Sequence, residues 1–481
     1  MSRFICLHGH FYQPPRENPW TDEIELQPSA TPYHDWNQRI TAECYRPNSR
    51  ALVADREGRV LRVVNNYGHI SFNFGPTLLA WLERSEPETY RRIIETDAET
   101  VRRFSGHGAA VAQCYNHIIM PLANLRDKRT QVIWGVRDFE HRFQRRPEGM
   151  WLPETAADLE TLDLMAEQGI RFTILAPHQG RTADNAPQFA LRAPHAIRLP
   201  SGRTIAVFFY DAAIAGEVAF GGMLNSGELL ARRLDAACGS GSEPQLISVA
   251  TDGETFGHHH RGGEATLADC IRRIDSRLTV FGEFLERFPP TREAFLNENT
   301  SWSCAHGVER WRSDCGDNSG AHPGWNQRWR SPLRDALDWL RDRLAGFYEM
   351  RMAEFIRDPW AARDGHIGIM LRPEPDDIRG FLIRHAGADL PEADRAQTLK
   401  LLQLQRMAML MFTSDAWFFD DISGIETIQN LSYAARAIEL AKELGSEPLE
   451  PGLLEILAQA QSNIPAQGTG ADIYRRLTAS G

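Results

Sequence analysis

Apolar and polar positions alternate in two styles along this chain, with the change near residue 300. Before it, short apolar runs at residues 4–7, 60–64, 171–176, 204–210 and 246–250 read as strands. The run at 60–64 leads into residues 65–74, a further strand with polar residues close behind. Between them lie stretches of helical periodicity. Residues 76–82 begin with a proline in the first turn, 86–103 are amphipathic, and 227–238 and most of 267–288 repeat at helical spacing. Residues 130–135 look like the end of a buried helix. From Thr155 onward, Leu159, Leu162, Met165 and Ile170 fall on roughly one helical face. Strands alternating with helices imply a parallel sheet, and at this length a barrel closes it more economically than an open sheet.

After Pro332 the period is helical throughout. Leu333, Leu337, Leu340, Leu344 and Phe347 form one stripe, and residues 399–411 and 425–444 form two more. A polar and aromatic break at 413–421 separates the last two. It either caps helices through Ser414 or Asp415 or reaches over the barrel mouth. The expected organisation is a catalytic domain over 1–330 and a helical domain over 331–481 that contributes to the cleft. Two segments lack a clear period. Residues 16–48 read as a long functional loop. In 301–331, Trp302, Trp311, Trp325 and Trp329 stand among Gly, Ser, Asn and Asp, suited either to stacking on sugars or to packing a hinge. No repeat of about 20–50 residues is present.

Composition narrows the class. At 481 residues, 42% hydrophobic and 24% charged, this is an ordinary globular chain with room for two domains. A net charge of −11 argues against a nucleic-acid partner. Lys128, Lys400 and Lys442 are the only lysines, which reads as codon bias and leaves little room for Schiff-base chemistry. Seven scattered cysteines with no CxxC suit reduced thiols in a cytoplasmic protein. Cys304 and Cys315 are the one close pair, and neither a bridge nor a metal site is expected there. The apolar run before His8 is too short for a signal peptide, and no run of about eighteen apolar residues spans a membrane. The last residues carry no clear closing signal.

Candidate chemistry centres on two acids. Glu154 closes the stretch Gly149-Met-Trp151-Leu-Pro-Glu154, where one element ends and a helix begins. An acid in a first helical turn can simply complement the helix dipole. Asp252 follows the apolar run 246–250 at an Asp-Gly turn, and so stands at a strand's C-terminal end, where barrel enzymes gather their reactive groups. An isolated Asp-Gly would be read as a turn former. Two such acids among aromatics and histidines suit glycoside hydrolysis, in which one carboxylate attacks the anomeric carbon and the other gives and then takes a proton. His8 and His10, followed by Gln13, supply either a polar pocket lining or half of a metal site. The rival reading is a metal-dependent sugar deacetylase that uses His8, His10, Asp252 and His258 to His260 as ligands, and a third is a glucan-binding protein without turnover. His117 beside an apolar run is more often a hydrogen-bonded core residue. GxGxxG, Walker A and GxSxG motifs are absent.

These motifs resemble glycoside hydrolase family 57, especially a bacterial branch of it. His8-Gly-His10…Gln13-Pro14 is similar to the family's first motif, interrupted here by Phe11-Tyr12. Trp151-Leu-Pro-Glu154 matches the motif that carries the nucleophile, and Asp252-Gly-Glu254-Thr-Phe-Gly-His258 the one whose aspartate is the acid/base. Asp415-Ala-Trp417 resembles the helical, substrate-contacting motif, and His117 lies near the place of the second. The resemblance covers most of residues 1–440. Relatives in this branch tend to be longer, and they often carry tryptophans where His259 and His260 stand. It implies an incomplete (β/α)7 TIM-like barrel followed by an α-helical bundle, and a retaining hydrolase or transglycosidase acting on α-glucans or maltooligosaccharides. Glu154 would be the nucleophile and Asp252 the acid/base, with Glu254 helping to keep Asp252 protonated. His8, His10, Gln13, Trp151, His117, Glu254, His258, Asp415 and Trp417 would contact substrate. No cofactor, metal or membrane enters this scheme.

Overall fold

Among the described residues, seven short strands run parallel and follow one another in chain order in the first of two compact units. The computed structural model describes residues 3–54, 57, 59–182, 192–239 and 243–479. The first unit comprises Met1–Pro15, Glu25–Cys114 and Phe139–Glu298. Its parallel strands are β1 (Arg3–Phe11), β2 (Ser71–Phe74), β3 (Ala112–Gln113), β4 (Met150–Trp151), β5 (Phe172–Leu175), β6 (Thr204–Phe209) and β7 (Gln245–Asp252). β1 lies between β7 and β2, β3 pairs with β4, and β5 pairs with β6. Parallel bridges Phe72–Ala110 and Gly149–Phe172 continue the series from β2 towards β3 and from β4 to β5. Just past β6, Asp211 N donates to Ser248 O of β7 at 2.7 Å. Strands covered on both faces need continuous apolar runs, and those of β5 (FTIL) and β7 (LISVA) are buried throughout.

The fold departs from the sequence expectation in several places, among them residues 65–74, where Asn66–Gly68 is a 3-10 turn and only Ser71–Phe74 a strand. Residues 60–64 do form a strand, but it pairs antiparallel with Ala51–Ala54, outside the parallel set. Val60, Leu61 and Val63 stay exposed there, while Val64, Ala51 and Val53 pack on Ala268. Residues 16–48 are not one loop: Trp36–Ile40, Thr41–Tyr45 and Arg46–Asn48 are helical, the middle turn in the π form. Asp35 caps the first by accepting from Gln38 N at 2.9 Å, and Arg39 pairs with Glu43 one turn on. The buried face of this segment, Asn37, Ile40, Thr41, Cys44, Tyr45 and Asn48, repeats at helical spacing but mixes polar with apolar residues, which masks its period. Residues 130–135 lie inside the helix Leu125–Phe143. The helix after Glu154 starts only at Leu159, capped by Asp158, so Glu154 is not in its first turn.

The second unit comprises Arg16–Ile24, Tyr115–Asp138 and Asn299–Gly481. Its long helices are Arg330–Met352, Glu392–Leu410 and Ile425–Glu443. Leu333, Leu337, Leu340 and Leu344 are fully buried, but the stripe closes on Tyr348, leaving Phe347 half-buried. Among the described residues, no helix is long and apolar enough to cross a membrane.

One close approach fixes how β4 enters the sheet. A Cβ on Gly149 would lie 2.3 Å from the buried Phe172 ring on β5. Gly149→Ala should therefore cost about 1–3 kcal/mol, the usual penalty for overpacking. A urea midpoint that does not move would show that Phe172 turns aside freely.

Candidate active site

Register places polar side chains in one row at the strand C-terminal ends. His10 on β1 is paired with Asp252 on β7 and with Asn73 on β2. Asn73 donates to Gln113 on β3 at 2.7 Å, and Gln113 is in register with Trp151 on β4. His8, two residues before His10, shares its strand face. Its Nε2–H donates to Asn73 Oδ1 at 3.1 Å, and Asn73 Nδ2 donates to His10 Nδ1 at 2.9 Å. His10 consequently carries its proton on Nε2. Burial holds both imidazoles far below their usual range, at about 3, so both are neutral. They stack on the fully buried Trp151, with ring centroids 4.8 and 5.1 Å away.

Glu154 lies three residues beyond β4, in a tight turn where its φ is +55° and that of Thr155 is +51°. Two successive non-glycine residues in the left-handed region cost on the order of 1–3 kcal/mol each, so their surroundings must impose the conformation. Gln179, fully buried past the end of β5, does so. Its amide donates to Thr155 O at 2.8 Å, and its Oε1 lies 2.8 Å from Thr155 Oγ1 and accepts from Ala176 N at 2.9 Å. Glu154 is left half-buried.

Asp252 ends β7 with its side chain exposed to solvent. The protein crowding around it pushes its carboxyl up to about 7, and the charge of Glu154 adds to the rise. The side chain nonetheless reaches solvent. Gly253 must be glycine, because its Cβ would fall 2.2 Å from the Phe11 ring. Phe11, the first of the two residues that interrupt the His-rich motif, is buried against Phe74, Tyr67 and Tyr45. Tyr12, the second, lies flat beside His10, with centroids 5.9 Å apart.

Glu254 differs from expectation. It is buried, and accepts from Tyr45 Oη at 2.6 Å and Tyr12 N at 3.0 Å. Burial pushes its carboxyl up to about 8 despite those donors, with Asp252 adding to the rise. It is thus mostly uncharged at neutral pH, and the repulsion acting on Asp252 comes from Glu154 instead. The π turn Thr41–Tyr45 backs the whole segment. Tyr45 meets Glu254, Cys44 donates to Gly253 O, and Glu43 holds His258 Nδ1. Asn48 donates to Phe256 O at 2.7 Å. Gln13 is half-buried and turns its amide onto Tyr12 O.

His8, His10, Gln13, Trp151, Glu154, Asp252, Glu254 and His258 all belong to the first unit, whereas His117, Asp415 and Trp417 belong to the second. There, His117 (φ +55°) is hydrogen-bonded to Ser414. Trp417 is fully buried, its indole N–H donating to Arg330 O. The rival metal reading needs His8, His10, Asp252 and the 258–260 histidines on one ion. His8 spends its nitrogens on Ser71 and Asn73, and His260 is tied to Ala219 O. Among the described residues, no three of that set offer ligand atoms to a common ion. Sequence reasoning missed Asn73, Gln113, Tyr45 and Gln179. An asparagine amid the phenylalanines of β2 was the one visible signal.

The glycosyl hydrolase family 57 model matches residues 7–295, and a domain of unknown function (DUF3536) matches residues 325–480. No curated protein sequence matches significantly. Among solved structures, the chain is similar to an exo-type maltose-forming amylase from Pyrococcus sp. ST04. The TM-score is 0.76 at 17% identity, over 95% of this chain and 83% of that one. A branching enzyme from Thermococcus kodakaraensis gives 0.58 at 13% identity, over 100% and 94% of the two chains. An α-amylase from Thermotoga maritima gives 0.56 at 14% identity, over 99% of each. At these identities the likeness is one of fold, here a mixed α/β fold.

The raised carboxyl of Glu254 has a thermodynamic consequence. Its folded-state value of about 8 lies above the ordinary 4.5, so the folded state loses stability relative to the unfolded one as pH climbs between those values. Glu254→Gln keeps an acceptor for Tyr12 and Tyr45 but cannot ionise. Its stability relative to the parent should rise steadily from pH 4.5 to 8 in urea titrations. A constant difference over that window would contradict the protonated assignment.

Proposed function

The chain belongs to glycosyl hydrolase family 57, and from that premise we propose that it is a retaining α-glucan hydrolase or transglycosidase. Glu154 is the nucleophile in this reading and Asp252 the acid/base. The observation that carries it is the placement of the two acids: Glu154 follows β4 and Asp252 ends β7, both on the C-terminal side of the parallel strands, and the charge of Glu154 adds to the rise that burial gives the Asp252 carboxyl. The seven parallel strands are read as an incomplete (β/α)7 barrel. Their chain-order succession and the polar row at their C-terminal ends support this. The α-glucan class rests on the family and on the amylase and branching-enzyme descriptions of the structural neighbours.

The chemistry follows from the two environments. Glu154, pinned by its turn, attacks C1 of the bound sugar as the glycosidic bond breaks. Asp252, protonated below about pH 7, passes its proton to the departing oxygen. A covalent glycosyl-enzyme results. The newly formed Asp252 carboxylate then takes a proton from water or from an acceptor hydroxyl, which displaces Glu154 with overall retention. Forming the ester removes the charge of Glu154, so Asp252 becomes a stronger acid as it switches to base. The buried His10 and the half-buried Tyr12, Gln13 and His258 of the same unit are read as substrate contacts.

Incubation with maltooligosaccharides or amylose should yield shortened or rearranged α-glucans, with NMR showing α-anomers first. Glu154→Gln should lower turnover by at least about 10³-fold on every substrate. Asp252→Asn should cost about 10²–10⁴-fold on maltooligosaccharides and much less on a nitrophenyl glycoside, whose leaving group needs no proton. Folded Glu154→Gln with parental turnover would refute the assignment.

In the parent enzyme, kcat/KM should fall as pH rises through about 7, where Asp252 gives up its proton. A flat profile from pH 6 to 9 would remove Asp252 from the acid role.

A further inference from the structure

Away from the acids, the second unit gathers two thiols, an imidazole and a carboxylate. Cys304 Sγ, a ring nitrogen of His306, Cys315 Sγ and a carboxylate oxygen of Asp317 all lie within 4.8 Å of one another. We propose that these four side chains form a structural zinc site that fastens the loop preceding the helix Arg330–Met352.

Three observations carry the proposal, beginning with the ligand set and its spacing. Two sulfurs, one imidazole and one carboxylate make a complete tetrahedral shell for Zn²⁺, with no position left for water, which is the pattern of a structural rather than a catalytic site. The ligands come as two i,i+2 pairs, Cys-Ala-His and Cys-Gly-Asp. Gly316 takes a φ of +87° between the second pair, and Gly307 one of +86° just after the first.

The second is distance. Zn–N and Zn–O bonds of about 2.0–2.1 Å and Zn–S bonds of about 2.3 Å give tetrahedral edges of about 3.3 Å for N···O and about 3.6 Å for S···O. His306 Nδ1 stands 3.4 Å from Asp317 Oδ2, and Cys315 Sγ stands 3.7 Å from the same oxygen. The first spacing is long for a hydrogen bond and suits two ligands on one ion.

The third is charge. Arg330 is fully buried, yet among the described residues its guanidinium has no carboxylate within ion-pair distance. One nitrogen donates to Asp317 O at 2.8 Å and lies 3.9 Å from Cys315 Sγ. Zinc entry deprotonates both thiols. With two thiolates, one carboxylate and one Zn²⁺ the site carries a single negative charge, which Arg330 offsets.

The segment has reason to need such a fastening. Between Asn299 and Arg330 its only regular element is the turn Glu309–Trp311. Irregular stretches of that length inside a compact unit call for a cross-link or a function. The segment nonetheless buries Trp311 and Trp329 completely.

Full-length, tag-free protein purified under reductant from zinc-supplemented cells should contain about one zinc per chain by elemental analysis, as a closed four-ligand site requires. Stripped protein titrated with Co²⁺ should develop a thiolate-to-cobalt charge-transfer band. Cys304→Ser and Cys315→Ser should lose zinc at least tenfold, and Asp317→Asn should weaken Co²⁺ binding at least tenfold. The parental zinc and cobalt readouts stand whether or not the variants fold. Parent protein without stoichiometric zinc or the cobalt band overturns the proposal. So does a Cys304–Cys315 disulfide in metal-free protein, or undiminished zinc in a folded double cysteine variant.

Discussion

Two neighbouring carboxyl groups cannot both be ionised without cost, and at Asp252 the charge of Glu154 adds to the penalty that burial already sets on ionisation. That repulsion reaches Asp252 from Glu154 across the ends of two strands that are far apart in the chain. The parallel arrangement brings those ends to the same side, because each crossover returns the chain to its starting edge before the next strand begins. Each crossover moves the chain one strand along, so β4 delivers Glu154 and β7 delivers Asp252 to one rim. The arrangement of the backbone thus comes first, and the chemistry depends on it.

Holding the two acids apart in protonation while close in space takes rigid supports. Glu154 occupies a backbone conformation that its side chain does not favour, and Gln179 fixes the next residue through its side-chain amide. The turn after Asp252 lies on Phe11 from one side and on the π turn Thr41–Tyr45 from the other. π turns add a residue to a helical register, and here consecutive residues of one reach His258, Gly253 and Glu254. The two-residue interruption of the His-rich motif has a physical reading as well. Phe11 turns into the core under Gly253, so of the pair only Tyr12 alters the polar row.

Much of this was legible in the sequence because it depends on local signals. Apolar runs ended by a polar residue marked β1, β5, β6 and β7, and the spacing of leucines marked the long helices. Glu154 and Asp252 stood out as acids at element ends. The rest depends on which strand lies beside which. Asn73 and Gln113 are unremarkable amides until register sets them next to His10, and Gln179 matters only because β5 ends beside the turn of β4. The strand 60–64 was read into the main series because β-branched residues look alike on an exposed ribbon and in a buried sheet. Residues 36–48 hide their helices because the buried face mixes polar residues such as Asn37, Thr41 and Asn48 with Ile40, Cys44 and Tyr45. The Cys304 and Cys315 pair looked incidental because each thiol's proposed co-ligand stands two residues on and is of a different residue type.

Three acids, not two, stand at the strand ends of the first unit, and under the proposed mechanism their surroundings separate their roles. Glu254 and Asp252 both hold their protons near neutrality, so protonation alone cannot single out a proton donor. Access can. Glu254 is buried, with one oxygen accepting from both Tyr12 and Tyr45, and any proton it released would have to cross packed side chains. Asp252 faces solvent and is coupled to Glu154, so its affinity for a proton responds to whatever happens to that charge. A group that must give up a proton in one half of a reaction and recover it in the next needs this responsiveness. Glu254, insulated by its hydrogen bonds and contributing little charge, shapes the turn beneath Asp252 without competing for its proton.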